Sequence, residues 1–371
     1  MARLASAGPL AYILGMSSPA PHRMIATWLM VCALMVAVMV MLGGATRLTE
    51  SGLSMVHWEP LTVLPPLNEM EWGTAFTDYQ ASPEFTKKNS WMTVEDFKSI
   101  YWLEYLHRLW GRAIGFAVAL PLLWLVARRA IDRPLAGKLG VLLVLGGLQG
   151  VLGWYMVASG LVDRPDVSQY RLAAHLVSAF VLYGFIVWLA LDQLEAARPQ
   201  QRMNDPAMAR LALFIPPAVL LVVAAGAFVA GLDAGKIYNT FPLMDGQLTP
   251  PDGLALSPWY LNLFENIATV QFQHRILAIS LVGLIAAAWF YGRNRALTAR
   301  AHALRHALMV MALIQAVLGI STLVMVVPLG LALTHQMGAL VLFTLSICFA
   351  YAVRPAARTQ ESLNLSISPA E

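Results

Sequence analysis

Charge is scarce in this chain. Of 371 residues only 12% are Asp, Glu, Lys or Arg, while 58% are hydrophobic. A soluble domain carries about 25% charged residues, so a water-soluble globular fold is excluded. Cysteine is almost absent. Its two residues, Cys32 and Cys348, each lie inside a long apolar run and in no Cys-x-x-Cys pattern. That excludes a disulfide framework and leaves both as small apolar packing residues. Short strands of alternating hydrophobicity are missing too, which excludes a membrane β-barrel. The net charge of +4 does not point to nucleic acid, because the cations fall in short clusters between apolar runs.

Those runs dominate. Eight apolar segments stand at about 25–45, 108–127, 137–158, 172–191, 209–231, 270–291, 304–326 and 329–352. Each nears the roughly 20 residues that a helix needs to cross the hydrocarbon core. The composition therefore specifies an all-α polytopic membrane protein. Arg128, Arg129, Arg133 and Lys138 follow segment two; Arg198, Arg202 and Arg210 follow segment four. Arg293, Arg295, Arg300 and Arg305 follow segment six, and Arg354 and Arg358 follow segment eight. The opposite loops are richer in acids, with Glu50, Glu59, Glu69, Glu71, Asp78 and Glu84 in the first. By the positive-inside rule both termini face the cytoplasm of a bacterial inner membrane, or the matrix in the mitochondrial alternative.

An internal repeat organises the segments. Leu148-Gln-Gly-Val-Leu-Gly153 resembles Ile314-Gln-Ala-Val-Leu-Gly319, and Glu104-Tyr-Leu-His-Arg108 aligns with Gln271-Phe-Gln-His-Arg275. Leu172-Ala-Ala-His175 aligns with Ala332-Leu-Thr-His335, and Gly43-Gly-Ala-Thr-Arg-Leu48 echoes Gly226-Ala-Phe-Val-Ala-Gly231. Eight helices in this register read as two tandem four-helix bundles in one orientation. The expected organisation is a cytoplasmic leader (1–23), an N-terminal bundle (24–192), a linker (193–208), a C-terminal bundle (209–353) and a cytoplasmic tail (354–371).

Four histidines mark the repeat. His107 and His175 in the first half, and His274 and His335 in the second, sit near the starts of even-numbered helices, toward the outer face. Ionisable side chains are costly in a membrane and usually functional. Two imidazoles on facing helices can take opposite sides of one planar macrocycle, and imidazole is a common axial ligand of haem iron. The pattern points to two haem sites, although a lone intramembrane histidine is often a hydrogen-bonded packing residue. Zinc would want three or four ligands in one place. His22 reads as solvated and His57 as a loop hydrogen-bonder that could touch a cofactor edge. His302 and His306 share a helical face, as a metal pair would, but stand among arginines at a solvated end.

The halves differ in one group. Glu104 lies three residues before His107, on the same helical face, whereas its counterpart before His274 is Gln271, which cannot ionise. The first half thus carries a carboxylate for proton transfer or cation stabilisation; a solvated residue at a helix start is the plainer reading. Arg108 and Arg275 follow the two histidines and are candidate partners for haem propionates, or interfacial anchors. Thr93-Val-Glu-Asp96 reads as a capping box opening a helix toward Glu104 and His107. Trp102, Trp110 and Trp154 suit a macrocycle or the membrane interface equally.

Taken together, Gly43-Gly-Ala-Thr-Arg-Leu-Thr-Glu-Ser-Gly-Leu-Ser54, Glu104-Tyr-Leu-His-Arg-Leu-Trp-Gly-Arg112, Gln149-Gly-Val-Leu-Gly153, Tyr238-Asn-Thr-Phe-Pro-Leu-Met244, Gln273-His-Arg275 and Thr334-His-Gln336 resemble haem A synthases. The resemblance runs from about residue 24 to 352. It implies oxidation of a ring methyl of haem O to the formyl of haem A, by two hydroxylations and loss of water from the diol. By that resemblance His107 and His175 ligate the substrate haem, His274 and His335 hold a haem b cofactor, and Glu104 is the catalytic carboxylate. It also implies an electron donor, a haem-O-forming farnesyltransferase upstream and a haem-copper oxidase downstream. Some members carry a cysteine pair in the outer loops of the first half; this chain has none there, which places it with the proteobacterial or mitochondrial branch. The competing readings are a dihaem b-type electron-transfer cytochrome, a haem transporter or chaperone, and a purely structural membrane protein.

Overall fold

The computed structural model describes residues 19–58, 64–161, 168–198 and 205–355. Most of the expected leader and tail, the centre of the linker with Pro199 and Arg202, Glu59, and Arg358 lie outside the described residues. Among those described, the chain is almost wholly helical, and an isolated bridge joins Met244 and Gln247. Eight helices are long and apolar enough to span a membrane. They are α1 (Pro19–Leu48), α2 (Val94–Ala127), α3 (Arg133–Gly160), α4 (Gln169–Ala197), α5 (Pro206–Gly231), α6 (Ile267–Tyr291), α7 (Ala299–Val324) and α8 (Leu329–Ala352).

Short polar residues set most of the helix starts. Asp132, Asp205, Asn266 and Thr298 each accept a backbone N–H of the first turn of α3, α5, α6 and α7. Pro134 and Pro206 stand in first turns, where a missing N–H costs nothing. Thr93 and Asp96 form the full capping box of α2. No glycine or proline interrupts the stretch from there to His107. The capped helix and the second apolar segment are therefore one helix of 34 residues. At about 1.5 Å per residue it outruns a hydrocarbon core of about 30 Å, so its first turns stand outside the membrane.

Those turns carry an aromatic cluster. Trp72 and Tyr79, from a loop helix (Glu69–Gln80), bury against Phe97, Tyr101 and Tyr105 of α2, together with Met55. Trp72 meets Tyr101 edge-on at 5.1 Å between ring centres. The described part of the loop between α1 and α2 is thus a packed cap on α2.

Helix α1 packs on α2 and α4, and α3 packs on the same two; α5 packs on α6 and α8, and so does α7. The two sets meet where α4 touches α5 and α8, and where α1 touches α8. Leu29, Cys32, Phe180, Ile186, Ile215 and Phe349 are fully buried in that centre. Large apolar side chains such as Phe116, Leu120, Leu213 and Val317 are exposed, as lipid-facing residues should be. Lipid tails leave little hydrophobic drive between helices, so close approach and polar contacts must do more. Gly184 of α4 lies under Phe343 and Ile347 of α8. Tyr183 Oη and Thr344 Oγ1 are 2.8 Å apart, Arg354 bonds Asp192 at 3.1 Å, and Gln336 Nε2 donates to the Val40 carbonyl at 2.6 Å.

A side chain on Gly184 would place its Cβ 3.0 Å from the Phe343 ring and 3.1 Å from Ile347. Gly184→Val should therefore force α4 from α8 and cost about 1–3 kcal/mol. Thermal unfolding in detergent measures this, and an unchanged midpoint would contradict so tight a contact.

Candidate functional site

Each of the four repeat histidines faces a glycine on the preceding helix. A Cβ on Gly43 of α1 would stand 3.3 Å from His107 Nε2, and one on Gly153 of α3 would stand 3.7 Å from His175 Cε1. In the second half, Gly226 of α5 lies against His274 at 3.1 Å and Gly319 of α7 against His335 at 2.8 Å. Three of these distances are too short for an ordinary methyl contact. The glycines stand five residues before the last residue of α1, α5 and α7, and seven before that of α3. All four crossings therefore lie near the same ends of their helices.

The imidazoles pair within each half. His274 and His335 have ring centres 6.5 Å apart, with planes at 89°. Two imidazoles joined through one metal, at about 2 Å per bond, have ring centres about 6 Å apart. His107 and His175 lie within electrostatic range of one another. His175 Nδ1 and His274 Nδ1 are buried without a hydrogen-bond partner, the Val222 carbonyl lying near the latter but outside bonding geometry. Buried imidazole nitrogens in hydrocarbon rarely stay unpaired, and their orphaned state is what a ligand-dependent site leaves behind. The residues fit a bis-imidazole haem. No group of three or more His, Cys, Asp or Glu among the described residues could hold a bare metal ion.

A glutamine backs the histidine of α8, and its repeat mate lies near that of α4 without reaching it. Gln315, one turn before Gly319, places Nε2 at 3.1 Å from His335 Nδ1 and 2.9 Å from the His335 carbonyl. The amide N–H donates to the carbonyl and lies against Nδ1, so Gln315 holds both the backbone and the ring of His335 in one orientation. Gln149, its repeat mate, donates to Ser178 at 2.7 Å, one turn after His175, and its Oε1 is buried without a partner. Both glutamines sit inside the repeat motif, which marked them without giving them a task.

Glu104 and Gln271 occupy the same place and are each 2% exposed. Glu104 Oε2 accepts from Ser54 Oγ at 2.7 Å and Met55 N at 2.8 Å, and Oε1 accepts from Arg108 Nε at 3.0 Å. Gln271 Nε2 instead donates to the carbonyls of Ala234 at 2.8 Å and Ile237 at 2.5 Å, while its Oε1 accepts from Arg275 at 2.9 Å. The loop in the first half offers donors and takes a carboxylate. The loop in the second half offers acceptors and takes an amide. Arg108 and Arg275 finish the two clamps. Arg108 donates to the carbonyls of Met55 and His57 at 2.8 and 2.9 Å. Arg275 donates to those of Tyr238, Thr240 and Leu243 at 2.6, 2.9 and 3.3 Å.

A second buried carboxyl lies nearby. Glu84 is 3% exposed and accepts from Tyr79 Oη at 3.1 Å, which in turn accepts from Asn89 at 2.7 Å. Burial pushes Glu84 up to about 8, and the charge of Glu104 adds to the shift. Nothing in the sequence singled out this residue, because its burial follows from the aromatic cap.

The remaining histidines stand apart. His57 Nε2 lies 3.1 Å from Asp78, exposed to solvent. His22 pairs with Gln193 at 2.8 Å, and His306 accepts from Trp289 at 3.0 Å. Trp110 donates to the Met35 carbonyl at 2.8 Å, fixing α2 to α1, while Trp102 packs on Trp72 and Tyr105.

The sequence profile of the cytochrome oxidase assembly protein family (COX15-CtaA) matches residues 26–347. Similar proteins include a haem A synthase of Nitrosospira multiformis, 47% identical over 330 residues, covering 88% of this chain and 93% of the relative. Another, of Paramagnetospirillum magneticum, is 48% identical over 330 residues, covering 88% and 92%. A third, of Mesorhizobium japonicum, is 48% identical over 317 residues, covering 85% and 86%.

One outcome is expected of the second clamp and one of the buried Glu84. Gln271→Glu would aim a carboxylate at the carbonyls of Ala234 and Ile237, and should cost about 1–3 kcal/mol in thermal unfolding; a neutral result would mean that the loop does not depend on the amide. For Glu84, the fold favours the protonated form, so between an ordinary value of 4.5 and about 8 the native state binds more proton than the unfolded chain. Its contribution is present at low pH and is lost as pH rises through about 8. Glu84→Gln should flatten the fall of the unfolding midpoint across that window, and an unchanged slope would refute the assignment.

Proposed function

The chain belongs to the cytochrome oxidase assembly protein family, and from that membership we propose that it is a haem A synthase, oxidising a ring methyl of haem O to the formyl group of haem A. The substrate follows from the name that its relatives share. The division of labour follows from one observation: the two halves present the same histidine–glycine crossings, but a carboxylate stands beside only one pair.

In this reading the N-terminal half (24–192) binds haem O between His107 and His175, and the C-terminal half (209–353) binds haem b between His274 and His335. Haem b supplies one-electron transfer between the reacting half and a redox partner. The chain's own residues do the rest. The glycine crossings give each imidazole room at the helix crossing, and Gln315 of α7 orients His335 of α8. Taking a methyl to a formyl group removes electrons and protons from one carbon and adds to it an oxygen atom supplied by a co-substrate. Glu104, fixed by Arg108, Ser54 and Met55, would stand beside a haem held at His107, where it would take up a proton or hold water. The aromatic cap of the first outer loop keeps bulk solvent from the carboxylate. Arg108 and Arg275 serve by holding the two loops in place.

The protein is a multi-pass membrane protein. Its seat is the bacterial inner membrane with both termini in the cytoplasm, given where the arginine clusters fall. A haem-O-forming farnesyltransferase supplies the substrate, and assembly of a haem-copper oxidase consumes the product.

Glu104→Gln is the direct test, in membranes of cells that make haem O, with extracted haems separated by chromatography and identified by mass. The wild type should yield haem b with haem A or its hydroxylated precursor. The variant should keep haem b and haem O while product falls by about 100-fold or more, and Glu104→Asp should restore part of it. Full product from Glu104→Gln would remove the proposed role. Haem b alone from the wild type would make the protein a dihaem electron-transfer cytochrome.

A further inference from the structure

Arg171 of α4 has no anionic partner among the described residues. It stands in the first turn of the helix, one turn before His175. Its guanidinium lies 5.3 Å from the centre of the Tyr155 ring, and its Nε is buried with no hydrogen bond. No ion pair reaches it among the described residues. Tyr155 follows two residues after Gly153, the glycine that faces His175. Arg171 stands four residues before His175, one turn away on the same face of α4, with no hydrogen bond from its guanidinium to any described residue.

That placement is unfavourable by itself. The first turn of a helix carries the positive end of its dipole, and a cation there is destabilised unless an anion joins it. A partly buried guanidinium with unsatisfied N–H groups adds a desolvation cost. The other arginines near the histidines are engaged: Arg108 and Arg275 in the loop clamps, and Arg47 on the Ala230 carbonyl at 2.7 Å and Asp233 at 3.4 Å. The position in α8 that matches Arg171, one turn before His335, is Leu331. The second half has no such cation.

We propose that Arg171 binds a carboxylate of the ligand that His175 holds, which on the function proposed above is a propionate of haem O. Guanidinium presents paired donors that match a carboxylate. The anion would satisfy the orphaned Nε and offset the misplaced charge in the first turn. Binding in the N-terminal half then depends on the acid groups of the porphyrin, and binding in the C-terminal half does not use this residue.

The test follows haem loss rather than turnover. Purified full-length protein carrying both haems is mixed with excess apomyoglobin, and the haems transferred are identified by mass over time. Arg171→Gln should speed loss of haem O by about tenfold to a hundredfold and leave loss of haem b unchanged, with Arg171→Lys in between. Wild type reconstituted with the dimethyl ester of haem O should lose the ester as fast as Arg171→Gln loses the free acid, and the variant should not distinguish the two. Equal acceleration of both haems would show a structural role, and no acceleration would show that Arg171 does not hold the ligand; either result overturns the proposal. Wild type that never carries haem O would instead sink the functional reading on which it rests.

Discussion

A histidine between helices in hydrocarbon needs room on one side and a polar partner on the other. Glycine supplies the room here at four crossings, because a Cβ would stand as close as 2.8 Å to an imidazole. The helix pairs α1–α2, α3–α4, α5–α6 and α7–α8 are each set by that contact. It fixes how near the backbones come, which helix face turns inward, and at what level the imidazoles lie. The polar partner is less complete. Gln315 reaches His335, but His175 and His274 keep a bare Nδ1. A site so arranged is finished by what binds in it.

The ends of the same helices decide what each half can do. In both halves a residue one turn before the arginine locks the loop that follows the first helix of that half. The loops present opposite hydrogen-bonding polarity: Ser54 and Met55 N–H in one, the Ala234 and Ile237 carbonyls in the other. A carboxylate and an amide of nearly the same shape are thereby kept apart by their surroundings. The charge beside His107 is built into the loop fold and not merely into one side chain. On the function proposed here, this one change of polarity between two otherwise matching sites is what would separate a reacting half from an electron-carrying half.

Much of this was legible in the sequence because it is periodic. Eight apolar runs gave eight helices, the repeat gave the four histidines their partners in register, and Thr93 with Asp96 capped α2 as the pattern required. Less visible was that α2 runs unbroken from that cap through His107. What the sequence left hidden depends on chains meeting in space. Gly43, Gly153, Gly226 and Gly319 lay inside the repeat motifs as markers, and only helix crossing shows them against imidazoles. The donors around Glu104 come from a loop about fifty residues away, and Arg108 and Arg275, candidates for propionates, turn to loop carbonyls. Glu84 is buried by an aromatic cap that no local pattern announces. Arg171 is conspicuous only once every other arginine near the histidines has found a partner.

The most direct measurement is the count and identity of haem in each half. Iron is quantified against protein, and extracted haems are resolved, for the wild type and for His107→Ala and His274→Ala, in cells that make haem O. Two irons per wild-type chain are expected, with haem O or its oxidation products lost in the first variant and haem b in the second. Loss of the same haem in both variants, or one iron per chain, would contradict two separate bis-imidazole sites with different tasks.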